Sequence, residues 1–410
     1  MTEIVWRPDA ATVEHANVTR LVRRAGASDY AELVRRSIEE PEWFWPLVVE
    51  DLELEFDRPW TRVLDESRGP EWATWFVGAT VSIAHNCAHR WATRTPDAIA
   101  AVGLGEDGSR REVTFADLSR DVTRLAERLA GLGVREGDRV AIFLPMSPEV
   151  AIASHAVAHL GAIQVPIFSG FAAPAVAQRL QASEAKVVIT QSESSRRGRP
   201  VPMLEILEEA MRESPSVEHV VLAPFELDGL PGELPAAQVD SETPYLLTYT
   251  SGTTGKPKGV VHVQGGFLVS IAREVAYQAD VRAGDVLHFA TDMGWIMGPW
   301  TVVGAGALGA TIVFAEGAPD WPAPDRLWRI VEQERVTSLG LSPTLTRALL
   351  PHGAPGRRPT PSSSAARSRI PRGSGRSASR TWGSSSPGRG SRSSTTRAGR
   401  SGRPGSSAGG

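Results

Sequence analysis

From about residue 97 to residue 350, the sequence alternates short apolar segments with amphipathic ones. Apolar segments such as 139–144 and 162–167 predict strands. After Thr114, apolar residues recur at intervals of four, three and four, which is one face of a helix: Leu118, Val122, Leu125 and Leu129. Apolar strands separated by helices predict a parallel sheet covered on both faces, so we expect an α/β protein.

A segment rich in glycine, hydroxyl and lysine residues lies between two β-prone segments, 244–248 and 260–263. The flanks predict a loop that joins two strands. Glycines let the backbone approach a ligand, while hydroxyls and lysines supply donors and positive charge, as an anion requires. A hairpin turn of the same composition is the simpler alternative. A Walker A loop is excluded, because only two residues separate Gly252 from Gly255 and Pro257 follows Lys256.

The segment from Thr250 to Gly259 resembles the signature loop of the adenylate-forming superfamily, which includes acyl-CoA synthetases, luciferases and peptide-synthetase adenylation domains. The resemblance implies that this loop binds the β- and γ-phosphates of ATP and the departing pyrophosphate. The residues that would do so are Thr250, Ser251, Gly252, Thr253, Thr254, Gly255, Lys256 and Lys258.

Residues 1–84 are rich in tryptophan and acidic residues. Their pattern predicts an amphipathic helix over 31–38 and a packed aromatic turn over 41–46, and the simple interpretation is a capping segment. The run from Trp43 to Trp91 resembles the N-terminal region of acetyl-CoA and propionyl-CoA synthetases. The resemblance implies the large N-terminal domain of the adenylate-forming fold, incomplete here, with a capping segment over 1–84 and a partial AMP-binding domain over 85–353.

Two further segments are similar to functional parts of the acetyl-CoA synthetase group. Trp295, Ile296 and Met297 correspond to the lining of the acyl pocket, although a helix start that packs its aromatic residues is equally compatible. Met297 and Pro299 replace the threonine and histidine of that group, which indicates a carboxylate other than acetate. Arg196 and Arg199, in a basic segment predicted to be a loop, correspond to arginines that bind the phosphates of CoA. A solvated loop is the alternative.

The remaining composition favours a soluble, cytoplasmic protein. No apolar run reaches the roughly 20 residues that a bilayer crossing needs, and the N-terminus has no leader pattern. Cys87 is the single cysteine, so an internal disulfide is excluded. His155 and His159 lie four residues apart on a predicted helix, but no third metal ligand is evident, so we interpret them as surface or core residues.

Residues 354–410 have a different composition, dominated by Ser, Arg, Gly, Pro, Ala and Thr, and predict a disordered tail. Twelve arginines and no acidic residue occur there, which leaves the first 356 residues at a net charge of about −15 although the whole chain has −3. A nucleic-acid- or partner-binding tail, a flexible linker and a coding sequence read out of frame are the alternatives, and we favour the last.

The motifs that hold adenine, ribose and Mg²⁺ in the resembled family do not occur after residue 353, nor does its C-terminal catalytic lysine. The resemblance implies ATP, CoA, Mg²⁺ and a small carboxylate as the molecules of the reaction. Because so many motifs are missing, we expect a truncated, inactive acyl-CoA synthetase without an identified catalytic residue or metal ligand. The alternative is a protein that binds nucleic acid or another partner through its basic tail.

Overall fold

The computed structural model describes residues 7–250, 257–352 and 381–382. The N-terminal segment begins with four helices, and the third contains the helix predicted over 31–38. The side chain of Asp29 caps this third helix by accepting a hydrogen bond from the Glu32 amide (2.8 Å). The four helices are α1 (Ala10–His15), α2 (Asn17–Arg24), α3 (Tyr30–Glu39) and α4 (Pro41–Asp51).

The aromatic turn predicted over 41–46 is wrong, because these residues form the first half of α4. Pro41 lies in the first turn, where a helix tolerates a missing N–H group, but Pro46 lies inside the helix. Phe44 and Val48 of α4 are buried. Packing of this apolar face against the rest of the chain outweighs the unfavourable helix propensity of Pro46.

The rest of the chain alternates strands and helices as the sequence predicts. A π-helical turn, His85–His89, runs directly into α5. The elements are β1 (Phe56–Arg58), β2 (Arg62–Asp65), β3 (Thr74–Val77), β4 (Thr80–Val81), α5 (Arg90–Arg94), β5 (Ile99–Leu104), β6 (Arg110–Thr114), α6 (Phe115–Gly131), β7 (Arg139–Ile142), α7 (Pro148–His159), β8 (Ile163–Pro166), α8 (Ala173–Ser183), β9 (Val187–Gln191), β10 (Ser194–Arg196), β11 (Arg199–Val201), α9 (Met203–Met211), β12 (His219–Ala223), β13 (Val239–Asp240), β14 (Pro244–Thr250), β15 (Lys258–Val263), α10 (Gln264–Tyr277), β16 (Val286–Phe289), α11 (Met297–Leu308), β17 (Thr311–Ala315), α12 (Arg326–Gln333), β18 (Ser338–Gly340), α13 (Pro343–Leu349) and β19 (Thr381–Trp382).

The first large sheet has six strands in the order β12-β9-β7-β8-β14-β15. Every pair is parallel except the β14–β15 hairpin. Along β7, Val140 and Ile142 face one hydrophobic core, whereas Ala141 and the following Phe143 face another, as the alternation of side chains in a strand requires. Helices therefore cover both faces of this sheet, and the fold class predicted from the sequence is confirmed.

The second large sheet has the order β19-β18-β16-β17-β5-β6 and is parallel except for the β5–β6 hairpin. Its edge strand β19 consists of Thr381 and Trp382. The disorder predicted for 354–410 therefore does not extend to these two residues. They pair in parallel with Leu339 and Gly340 of β18, whose backbone would otherwise lie at the edge of the sheet. The other residues of that tail lie outside the described part of the chain.

A layer of helices lies between the two sheets. Helix α7 packs against β7 and β8 of the first sheet and against β5 of the second. Eleven of its twelve residues are buried, all except Glu149, which explains why the helix is apolar on every side. Helix α6 begins as predicted at Thr114, whose hydroxyl accepts from the Asp117 amide (3.1 Å) in a capping box. The site described next lies where loops from both sheets meet.

None of the helices within the described ranges has the combination of length and apolar character that a membrane crossing requires.

Candidate active site

The two strands predicted on either side of the glycine- and lysine-rich segment are β14 and β15, and they form an antiparallel hairpin. Thr250 pairs with Lys258 at the end of the hairpin where the connecting loop begins, and there the Thr250 hydroxyl donates to the Lys258 carbonyl (3.5 Å). Both residues are exposed. Of the residues assigned to ATP, Ser251 to Lys256 lie outside the described residues, so only the two ends of the loop have a described position.

A cavity of about 630 Å³ opens at the carboxyl ends of the parallel strands. Its walls include the segments that follow β7 and β8 of the first sheet and β16, β17 and β18 of the second: Pro145–Met146, Phe168–Gly170, Ala290–Asp292, Gly317 and Leu341–Leu345. Ligands of open α/β sheets bind at this end of the strands, because the loops there converge. The cavity is therefore the best candidate for a small-molecule site among the described residues.

The segment predicted to line the acyl pocket does lie in this cavity. Trp295, Ile296 and Met297 are all part of its wall, at the start of α11. The side chain of Trp295 is 64% exposed, which is unusual for a large apolar residue and places it at the mouth rather than in the core. Its ring lies 6.4 Å from that of Phe168, centroid to centroid, on the loop after β8.

A buried carboxylate that the sequence analysis did not select joins these two loops. Asp292 accepts hydrogen bonds from the Ser169 hydroxyl, from the Ser169 amide (3.3 Å) and from the Gly294 amide (2.9 Å). Burial raises the pKa of Asp292, and these donors together with Arg196 oppose that rise. A side chain at Gly294 would collide with the backbone of Phe168, at 2.5 Å, so the two loops are in direct contact.

The basic segment 195–203 is not a loop, contrary to the sequence analysis. Strands β10 and β11 pair antiparallel around Arg197 and Gly198, which both have positive φ (54° and 67°). Two left-handed residues in succession make the tight turn that a hairpin needs. Arg196 lines the cavity beside the acyl-pocket residues, whereas Arg199 is not part of the lining. Arg199 lies opposite Arg196 across the hairpin. The cavity lining therefore brings Arg196 together with Trp295–Met297 but does not include Arg199, Thr250 or Lys258.

Glu106, in the turn between β5 and β6, holds this basic hairpin in place. Its carboxylate accepts hydrogen bonds from the Ser195 hydroxyl (3.1 Å) and from the amides of Arg197 (2.9 Å), Gly198 (2.8 Å) and Ala318 (2.7 Å). Burial raises the pKa of Glu106, but these donors outweigh it and hold the pKa below its usual value. The guanidinium of Arg197 is held separately by both oxygens of Asp320 (2.8 Å each).

His155 and His159 are both buried, in agreement with their interpretation as core residues. His159 takes part in a chain of hydrogen bonds whose directions are fixed by the Leu234 carbonyl, which can only accept. His159 Nε2 donates to that oxygen (2.9 Å), His89 Nε2 donates to His159 Nδ1 (2.9 Å), and the Ser119 hydroxyl donates to His89 Nδ1 (2.8 Å). These histidines are structural.

The described residues contain no group of three or more histidine, cysteine, aspartate or glutamate residues that could hold a metal ion. A Mg²⁺ site built from three or more protein ligands of these types is therefore absent from this part of the chain.

Comparison with known families identifies the class of protein to which this fold and this cavity belong. The family model described as AMP-binding enzyme matches residues 88–384, and the model described as acetyl-coenzyme A synthetase N-terminus matches residues 30–87. The chain belongs to the AMP-binding enzyme family, in its acyl-CoA synthetase branch. The first match extends beyond residue 353, where the motifs recognisable in the sequence end.

Similar proteins include the acetyl-coenzyme A synthetase of Deinococcus radiodurans, 38% identical over 356 residues, which covers 82% of this chain and 54% of that protein. The acetyl-coenzyme A synthetase of Gemmatimonas aurantiaca is 39% identical over 340 residues, with coverage of 77% and 51%. Among solved structures, acetoacetyl-CoA synthetase from Streptomyces lividans superposes with a TM-score of 0.80 at 33% identity, covering 86% of this chain and 57% of that one. The chain spans about half the length of the curated relatives it matches.

Proposed function

We propose that this chain provides the carboxylate-binding, CoA-binding and pyrophosphate-binding parts of an AMP-forming acyl-CoA synthetase that acts in the cytoplasm. In that reaction a carboxylate oxygen attacks the α-phosphate of ATP and pyrophosphate leaves. The thiol of CoA then attacks the acyl-adenylate carbonyl and displaces AMP. The observation that carries the proposal is the cavity in which Arg196 and the segment Trp295–Met297 share one wall.

The resemblance to the family assigns residues to each substrate, and the charge and shape of those residues support the assignments. Trp295, Ile296 and Met297 would contact the acyl group, since they are apolar and line the cavity. Arg196 and Arg199 would bind phosphates of CoA, because guanidinium groups bind phosphate through paired hydrogen bonds. The loop from Thr250 to Lys258 would neutralise the charge of the leaving pyrophosphate, which is a principal requirement of phosphoryl-group chemistry.

The pyrophosphate assignment is tested by binding of ATP and of pyrophosphate to Lys258→Ala. Loss of a charge-assisted hydrogen bond weakens binding by roughly tenfold or more. Lys186→Ala is the matched control, since Lys186 donates to the Gly133 carbonyl (2.8 Å), outside the cavity lining. Equal weakening in both variants, or in neither, contradicts the assignment.

The CoA assignment is tested with CoA and with its analogue that lacks the 3′-phosphate. Arg196→Ala and Arg199→Ala should weaken binding of CoA more than binding of the analogue, because an arginine that contacts the 3′-phosphate discriminates between them.

Whether the 410-residue chain completes the reaction is measured by pyrophosphate exchange with a panel of carboxylates. We expect no exchange, because the family's adenine- and Mg²⁺-binding motifs do not occur in this sequence. Robust exchange contradicts that expectation.

The alternative function, binding of nucleic acid through the arginine-rich tail, receives no support from the family match. It predicts salt-sensitive binding of DNA or RNA that is lost when residues 354–410 are deleted.

A further inference from the structure

The inner wall of the cavity contains a buried histidine that the assignments above do not use. His288, on β16, is 3% exposed and lines the cavity. Its Nδ1 lies 2.8 Å from the Val313 carbonyl on β17. A carbonyl oxygen can only accept, so Nδ1 carries the proton. In a neutral imidazole the other nitrogen, Nε2, is then an acceptor.

Among the described residues, the one hydrogen bond recorded for the His288 ring is that of Nδ1, and none is recorded for Nε2. Because Nδ1 is turned to the neighbouring strand, Nε2 is the polar ring atom left for the cavity. Burial lowers the pKa of His288 and nearby Arg326 lowers it further, which keeps the ring neutral. Because His288 lines the cavity, a ligand or a water molecule there can donate the hydrogen bond that Nε2 lacks from the described residues.

The surroundings of His288 restrict what that donor can be. Most of the inner wall is apolar: Phe289, Phe314, Leu327, Ile330 and Leu341. Arg326 is 9% exposed and lines the same cavity, with its terminal nitrogens bonded to the carbonyls of Ala318 (2.8 Å) and Gly105 (3.2 Å). Among the described residues, the lining contains two cations, Arg326 and Arg196, against one carboxylate, Asp292, and Asp292 already accepts hydrogen bonds from three donors. This balance disfavours an ammonium group there and favours an uncharged donor.

We propose that His288 is a specificity-determining residue that accepts a hydrogen bond from a hydroxyl group on the acyl chain. The substrate class is then a hydroxy-carboxylic acid with an otherwise apolar body larger than acetate. The inference rests on the proposed function, since it takes the cavity as the acyl-binding site. A hydroxy acid differs from a simple alkyl acid, which offers no hydrogen-bond donor, and from an oxo acid, whose ketone oxygen can only accept.

Four-carbon acids that differ only in the polar group test this proposal on the 410-residue chain. Dissociation constants are measured by calorimetry or by ligand-observed NMR for butanoate, 3-hydroxybutanoate, 4-hydroxybutanoate and acetoacetate. One of the two hydroxy acids should bind about three- to tenfold more tightly than butanoate, as expected for one hydrogen bond. Acetoacetate should not share this advantage.

Two variants separate the role of Nε2 from the fold. His288→Asn has an amide that reaches the position of Nδ1 and can still donate to the Val313 carbonyl, but it has no atom at Nε2. The preference for the hydroxy acid over butanoate should fall to about one in this variant. His288→Gln places an amide oxygen near the position of Nε2 and should retain part of the preference. Thermal melting shows whether each variant is folded.

The outcomes distinguish this inference from the proposed function. If all acids bind the wild-type chain equally, if acetoacetate binds as tightly as the better hydroxy acid, or if folded His288→Asn keeps the full preference, the inference is overturned and the acyl-binding cavity stands. If none of the acids binds, both the inference and the assignment of the cavity are overturned. The comparison among the acids on the wild-type chain is decisive even if a variant fails to fold.

Discussion

Two carboxylates, those of Glu106 and Asp292, hold the loops around the cavity in position. Each accepts at least three hydrogen bonds, and most of the donors belong to residues distant in sequence, such as Ser169 for Asp292 and Gly198 for Glu106. Sequence patterns report neighbours along the chain, so neither residue was selected as part of the site. The aromatic segment 295–297 and Arg196 could be selected, because a family motif carries them.

Replacement of Glu106 with Gln should weaken binding of CoA by about fivefold, an effect equivalent to loss of about one hydrogen bond. The amide nitrogen of Gln cannot accept, so at least one of the four donors from the basic hairpin and Ala318 is left without a partner. The measurement is calorimetry with CoA. Glu112→Gln, on the exposed side of β6, is the control and should bind CoA normally. Unchanged affinity in Glu106→Gln, with a clear loss in Arg196→Ala, contradicts the positioning role.

Among the elements, those with a strong periodic pattern were predicted well. Helix α6 begins at the expected residue because Thr114 caps it, and its regular apolar face is buried as expected. The sequence analysis missed helix α4 and the hairpin β10–β11. Contacts with residues outside each segment determine the secondary structure there. The apolar face of α4 packs into the core despite Pro46, and the carboxylate of Glu106 satisfies the backbone of the hairpin turn.

The crossing of α10 and α11 depends on a residue without a side chain. A Cβ atom at Gly304 would lie 2.2 Å from Cγ2 of Val275, so Gly304→Ala should destabilise the protein by about 1–3 kcal/mol through overpacking. Gly131→Ala, at the end of α6, meets no atom within 4 Å and should be neutral or stabilising by up to about 1 kcal/mol. Urea unfolding measures both. Equal effects of the two substitutions would contradict this explanation.

At the scale of the whole molecule, the layered α/β architecture was predictable because alternating apolar strands and helices have few stable arrangements. The order of the strands and the pairing of β18 with Thr381–Trp382 were not predictable, because they depend on which edges meet in three dimensions. The position of the cavity at the carboxyl ends of the strands follows from that arrangement rather than from any one motif.

Acid should destabilise the protein below about pH 6.5. Burial lowers the pKa of His89 to about 3, with a further contribution from His159, and burial lowers that of His155 to about 4, from an ordinary value of 6.5. Between these lowered pKa values and 6.5, the two histidines are protonated in the unfolded chain but not in the folded chain. Stability is therefore fully present above pH 6.5 and is lost as the pH falls, by about 1.4 kcal/mol per pH unit for each histidine.

The measurement is the free energy of unfolding in urea at pH 7, 6 and 5. In His155→Leu, the slope should decrease by about the contribution of one histidine, roughly 1.4 kcal/mol per pH unit. A flat dependence in the wild-type chain over this range would show that these side chains do not set its acid stability.

The cavity takes its walls from loops of both sheets, so occupancy and unfolding are thermodynamically linked. A ligand that contacts Phe168 on one side and Leu341 on the other binds the native chain and has no site in the unfolded one. At a free concentration 100 times its dissociation constant, such a ligand adds about 2.7 kcal/mol to the free energy of unfolding. The melting temperature should therefore rise with ligand concentration. Thermal denaturation can thus screen candidate carboxylic acids, the class of ligand proposed above, without any turnover.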